Sequence, residues 1–132
     1  MRSVIFRYKL FRNIPCPIIS FAIKGPKKWF GAEAYVDSGA FITILAFKDA
    51  FRVGINPEKG KKMFVTVGDG GFIPVYLHKL DVKVGDIPFK ATIGFSERLG
   101  VGFNLLGRKD FFTHFDITFS DKTRILTFTP KV

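Results

Sequence analysis

The run Ala34-Tyr35-Val36-Asp37-Ser38-Gly39-Ala40 limits the possible folds more than any other stretch, because an apolar strand ends in it on a carboxylate. Burying a lone carboxylate costs several kcal/mol unless hydrogen bonds hold it or it keeps a proton. Two readings follow from the residues alone. Asp, Ser and Gly are ordinary turn residues, so the segment can be a strand followed by an Asx-type turn. It can also be a functional carboxylate set at the rim of a core.

The flanking chain reads as β structure. Phe, Ile, Val and Thr are frequent, with 17 Phe among 132 residues, and Gly recurs between the runs. Residues 4–10 alternate, with Val4, Phe6, Tyr8 and Leu10 set against Ile5, Arg7 and Lys9, as one half-buried strand would. Residues 18–24 and 29–36 form a hairpin around Gly25-Pro26-Lys27-Lys28. Residues 41–45 return as a short apolar strand. A helix is expected over 46–53 on the spacing Phe47, Ala50, Phe51 and Val53, with Gly54 just past its end. Strands are expected at 62–67 and 72–84, joined by Gly68-Asp69-Gly70-Gly71, where glycine allows positive φ almost throughout. Gly85-Asp86 turns the chain into a strand over 87–95. Residues 103–107 read as a buried strand, 108–115 as a short helix, and 115–119 with 124–128 as a closing hairpin. No repeat or linker divides the chain, so residues 1–132 are expected to form one domain.

Composition narrows the function. A formal net charge of +10 suits a polyanionic partner. The Lys and Arg residues are scattered, however, and the small knots at Lys27-Lys28 and within 59–62 carry no interleaved aromatic motif, so no specific nucleic-acid partner is expected. Cys16 stands alone between Pro15 and Pro17 and cannot form an internal disulfide; His78 and His114 are far apart. No metal site and no cofactor are therefore expected. The basic and apolar N-terminal residues are interrupted by prolines and lack a small-residue cleavage pattern, and no run approaches the length of a membrane span. A cytoplasmic protein without a membrane span is the expectation. No G-x-S-x-G elbow or phosphate-loop spacing occurs, which argues against serine hydrolase and nucleotide chemistry.

Three pieces, in order, resemble the single-lobe, retropepsin-like aspartic proteases. Asp37-Ser38-Gly39-Ala40, followed by Thr43 and a short helix, is similar to that family's D-[ST]-G-A loop. Gly68-Asp69-Gly70-Gly71-Phe72 is similar to its glycine-rich flap. Leu105-Leu106-Gly107-Arg108 is similar to its hydrophobic-hydrophobic-Gly-Arg strand. The closing Phe111-Phe112 and final hairpin look more like cellular prokaryotic members than viral ones. The resemblance spans roughly residues 29–128 and implies a mainly β, closed-barrel-like acid-protease lobe with one or two short helices, acting as a dimer.

The resemblance also implies roles. Asp37 would be catalytic; Ser38, Gly39 and Ala40 would shape its loop; Gly68, Asp69, Gly70, Gly71 and Phe72 would close over substrate; Leu105, Leu106, Gly107 and Arg108 would support the loop from beneath. Only one Asp-Ser/Thr-Gly motif is present. The family chemistry needs two carboxylates, so a second copy of the chain and an extended peptide or protein substrate are the implied partners. The implied function is that of a homodimeric aspartic endopeptidase; the alternative is a catalytically silent peptide-binding module of the same fold. Phe41 and Ile42 stand where many viral members carry an acidic residue paired with the Arg of the Gly-Arg motif. Arg108 is therefore expected to have another partner, such as Asp110 or the second chain.

Overall fold

The computed structural model describes residues 2–66, 70–99 and 102–131. Its centre is a seven-stranded sheet in the order β4-β5-β10-β6-β9-β8-β7, built from β4 (Ile18–Lys24), β5 (Trp29–Val36), β6 (Thr43–Ala46), β7 (Lys61–Thr66), β8 (Phe72–Val84), β9 (Ile87–Ser96) and β10 (Leu105–Leu106). A further pairing of β4 with β8, Ala22 opposite Lys83 and Ile23 opposite Val82, closes six of these strands into a ring. β7 stays outside the ring and, among the described residues, pairs only along β8, as an arm. Closure sets inward residues of several strands face to face. Ile19, Phe21 and Ile23 of β4, Val36 of β5, Leu45 of β6 and Ile93 and Phe95 of β9 are all buried. The alternating burial along β4 and β5 is thus the inside and outside of a barrel.

A second sheet, β1-β12-β11, joins β1 (Val4–Arg7) to β11 (Phe115–Ser120) and β12 (Ile125–Pro130). The many phenylalanines weld it to the ring. Phe6 and Phe115 each meet Phe128 edge to face, and Phe111, at the start of α2 (Phe111–His114), meets Phe21 and Phe89 in the same way. Such pairs add about 0.5–1.5 kcal/mol each beyond the burial of their area.

Several elements depart from the sequence expectation for physical reasons. The first strand breaks at Tyr8, whose N–H goes to Arg124 O at 2.8 Å. The chain then forms a separate ribbon, β2 (Lys9–Phe11) with β3 (Ile14–Cys16). Arg12 and Asn13 both take positive φ, 52° and 64°, which is the geometry of a two-residue hairpin turn. α1 (Phe47–Val53) ends where expected, with Gly54 at φ 95° returning its N–H to Ala50 O and Phe51 O. Its face is different: Phe51 is exposed and Asp49 is buried. The strand expected at 103–107 has only two ladder residues, because its flanks bond to a side chain and to a loop. The helix expected at 108–115 is reduced to Phe111–His114, since Phe115 enters the ladder opposite Pro130. His78 and His114 have structural partners: Nε2 of His78 lies 2.8 Å from Pro57 O, and Nδ1 of His114 lies 2.6 Å from Asp110 O. Among the described residues no helix is long and apolar enough to cross a membrane, and no His/Cys/Asp/Glu cluster could hold a metal ion.

Candidate active site

β5 and β6 are consecutive in the chain, yet they are not neighbours in the sheet. β10 lies between them, parallel to β5 (Leu105 opposite Tyr35, Leu106 opposite Val36) and antiparallel to β6 (Leu105 opposite Ile44). The segment from Asp37 to Ile42 must therefore loop around the end of β10, and β10 holds it from both sides. Asp37 N–H donates to Leu106 O at 2.9 Å. Arg108 N–H donates to Ala40 O at 2.9 Å, and Lys109 N–H to Phe41 O at 2.8 Å. Gly107 N–H donates to the fully buried Thr43 Oγ1 at 2.9 Å.

This approach is so close that it dictates the residue at 107. A Cβ there would lie 2.7 Å from both C and O of Ile42 and 2.9 Å from C of Phe41. These are backbone atoms and cannot swing aside, so glycine alone fits. The Leu-Leu-Gly run thus has a geometric meaning: two ladder residues, then a residue with no side chain where two backbones cross.

Asp37 itself is half-buried, at the end of the buried Val36. Its Oδ1 accepts from Gly39 N–H at 2.8 Å, and its carbonyl accepts from Ala40 N–H at 3.1 Å. The turn reading and the site reading of this segment are therefore compatible: an Asx-type turn fixes the carboxylate's orientation through one oxygen. Oδ2 takes no hydrogen bond from any described residue. Ser38 and Gly39 are exposed and Ala40 is half-buried. Arg108 Nη1 lies 3.4 Å from Ser38 O, and its guanidinium sits over the Phe112 ring, 5.4 Å from the centroid. The expected partner Asp110 is engaged elsewhere, accepting from Thr92 N–H at 2.7 Å.

A cavity of about 550 Å³ opens beside the carboxylate, lined by Asp37 and Ser38 together with Tyr8, Tyr35, Phe119 and Asp121 among others. Tyr8 OH donates to Asp121 Oδ1 at 2.8 Å. Burial, then this bond and the Asp121 charge, push the Tyr8 phenol up to about 12. Burial raises Tyr35 as well, with added contributions from Cys16, Asp37 and Asp121. Both phenols are thus held neutral at this wall. A larger cavity, of about 670 Å³, lies among Phe11, Phe103, Asn104 and Arg52 and does not include Asp37.

The arm formed by β7 and β8 stands on the same loop. Val65 of β7 and Ile73 and Val75 of β8 pack with Ile42 and Ile44, which follow Asp37 in the chain. Thr66 pairs with Phe72 at the arm's described end. Gly70 takes φ 85°, and Gly71 and Phe72 are exposed, Phe72 at 68%. Gly68 and Asp69, with Val67, lie outside the described residues. The loop residues 37–40 and the strand residues 105–108 are therefore brought together by direct bonds, while Gly70, Gly71 and Phe72 belong to an arm anchored on that loop.

Asn104 is a residue that sequence reasoning missed. Its carbonyl accepts from Tyr35 N–H at 2.8 Å. Its Oδ1 accepts from Ala46 N–H, and its Nδ2 donates to Glu33 O and to Asp49 Oδ2, each at 2.9 Å. One side chain thus ties β5, β6 and α1 to the entry of β10, and it explains why Asp49 is buried; Arg52 Nη2 covers the other carboxylate oxygen at 2.9 Å. The only signal was a polar amide at the head of a Phe-Asn-Leu-Leu-Gly run.

No protein-family model matches the chain. No curated protein matches it in sequence. Its structure is similar to the crystal structure of a retropepsin-like aspartic protease from Rickettsia conorii, with a TM-score of 0.67 over 96% of this chain and 89% of that one, at 18% identity. The fold is that of a single-lobe acid protease.

Proposed function

We propose that the chain is an aspartic endopeptidase that works as a pair of identical copies, each contributing Asp37. The observation that carries this reading is the state of that carboxylate: half-buried, aimed by its own turn through Oδ1, clamped from below by β10, and with Oδ2 unbonded among the described residues. A structural aspartate in an Asx-type turn has no need of such a platform. The shared acid-protease fold supports the same reading.

The chemistry follows from two such groups brought together. Carboxylates about 3 Å apart cannot both ionise, so they hold one proton between them, as the paired carboxylates of aspartic proteases do. The ionised partner takes a proton from a water held between them, and that water attacks the scissile carbonyl carbon. The protonated partner donates to the carbonyl oxygen. The resulting diol collapses by returning a hydroxyl proton to the ionised carboxylate while the amine leaves with the proton held by the other, so the dyad keeps one proton and no covalent enzyme intermediate forms. Gly39 lets the backbone approach the dyad, Ser38 and Ala40 line it, and the β7–β8 arm closes over an extended peptide and excludes water. Leu105, Leu106 and Gly107 hold the platform, with Arg108 against the loop carbonyl of Ser38.

The test is a cleavage assay on a peptide library with wild type and Asp37→Asn. Wild type is expected to cleave and the variant to lose cleavage entirely while keeping its circular dichroism spectrum. Equal cleavage by both would refute the mechanism. Peptide binding without cleavage by wild type would leave only the binding-module reading.

A further inference from the structure

The ribbon of β2 and β3 belongs to neither larger sheet; among the described residues its two strands pair only with each other. Isolated two-stranded ribbons are marginal in water. This one is nevertheless well anchored from behind. Phe11 meets Phe103 edge to face at 5.1 Å, and Phe103 stacks on Tyr35 at 4.8 Å, two residues before Asp37. Lys9 binds Ser20 and Glu33 across the outer face of β4 and β5. The ribbon is a rigid projection, and it holds aliphatic side chains out to solvent. Leu10 is 71% exposed on the face shared with Pro15, and Ile14 is 63% exposed on the face shared with Phe11. At the tip, the Arg12 guanidinium lies over the Phe11 ring.

The base of the ribbon is also a wall of the candidate site. Pro15 and Pro17, at its returning end, line the cavity that contains Asp37 and Ser38, as does Tyr8 at its start. Whatever approaches the Asp37 face closely enough to complete a dyad must come alongside this projection. The chain has only one Asp-Ser-Gly motif, so the site is incomplete without a second copy.

We infer that the ribbon is the gripping arm of the interface between two copies of this chain, with Leu10, on the face it shares with the cavity-lining Pro15, buried against the partner beside the Asp37 loops. This rests on the reading that the active unit is a pair. A preorganised apolar projection loses little conformational entropy on docking, which favours a tight and specific contact.

The experiment compares wild type with the variant Leu10→Ser. The Leu10 side chain is solvent-exposed in the single chain, so the fold should survive, and circular dichroism checks that it does. Sedimentation equilibrium is expected to show a wild-type dimer and a dissociation constant raised by about tenfold or more in the variant, since a buried aliphatic anchor lost is worth roughly that much. Cleavage per chain should fall at low protein concentration and recover as concentration rises. Amide exchange in wild type supplies a second readout, with the ribbon expected to be protected only at dimer-forming concentrations. A wild-type dimer with an equally dimeric variant and an unprotected ribbon would overturn this inference and leave the paired-copy reading intact. A wild type that stays monomeric at high concentration would overturn both.

Discussion

Asn104→Asp is the sharpest test of how the platform is held. The change replaces an NH2 by an oxygen and leaves the shape of the side chain alone. The acceptor facing Ala46 N–H survives. The donor to Glu33 O and Asp49 Oδ2, each at 2.9 Å, becomes a third oxygen facing two others. Two hydrogen bonds are lost at about 1 kcal/mol each. The introduced carboxyl relieves part of the repulsion by keeping its proton, which restores one of the two bonds, and Arg52 on Asp49 offsets part of the charge. Its pKa is therefore higher in the folded state than the ordinary value of about 3.9. Once ionised, the carboxyl sets like charges face to face with no donor between them, which costs about 2–3 kcal/mol. The sign is fixed: with a raised folded pKa, the penalty is smallest below about pH 4, grows as pH rises through the folded value, and then levels off. The expected loss is roughly 1 kcal/mol near pH 3.5 and roughly 3–4 kcal/mol at pH 7. At this chain length each kcal/mol moves the melting midpoint by about 3–5 °C, so the gap at pH 7 should be about 10–15 °C. Thermal unfolding of variant and wild type across that pH range reads it directly. A gap below about 1 kcal/mol at pH 7, or one that does not widen with pH, would refute the placement of Asn104 at the junction of β5, β6 and α1.

Other expectations concern the same platform and its wall. Thr43→Val leaves the buried Gly107 N–H without its acceptor and should cost about 1–3 kcal/mol and most of the peptide cleavage, while Thr43→Ser keeps the bond and most of the cleavage. Equal loss of cleavage in the two variants would rule out the hydroxyl. Gly107→Ala forces a methyl to within 2.7 Å of the Ile42 backbone and should destabilise by at least about 1–3 kcal/mol; an unchanged melting curve would contradict the close crossing. In a spectrophotometric titration, the Tyr8 phenol should ionise near pH 12, and Tyr8→Phe should remove that step. Because its folded pKa is raised, the bond to Asp121 contributes stability below about pH 10 and loses it as pH rises towards 12; a Tyr8→Phe variant whose stability falls in parallel with wild type over that window would argue against the bond.

What could be read from the sequence depended on how local its cause was. The bounds of β8 and the turn at Gly85-Asp86 were legible because alternation and a two-residue turn are short-range signals. So was the end of α1 at Gly54. The Asp37 loop was legible as a motif, and the Leu-Leu-Gly run as its support. The buried Asp49 and exposed Phe51 were not, since their places are set by Asn104, 55 residues from Asp49 in the chain. The hairpin turn at Arg12-Asn13 carries no glycine to announce it. Likewise, β10 looked like a five-residue strand because all five residues are held firmly, although only two are held by a ladder.

The threading of β10 between β5 and β6 also sets an order in time. Asp37 is made early, but every backbone bond that holds its loop from beneath comes from residues 106–109, and Asn104 follows the same schedule. A chain emerging from the ribosome therefore carries its carboxylate for some seventy residues of synthesis with nothing to stand on. Under the function proposed above, a half-made copy could not cut its neighbours: the acid residue is present from the start, and the means of using it is among the last parts to arrive.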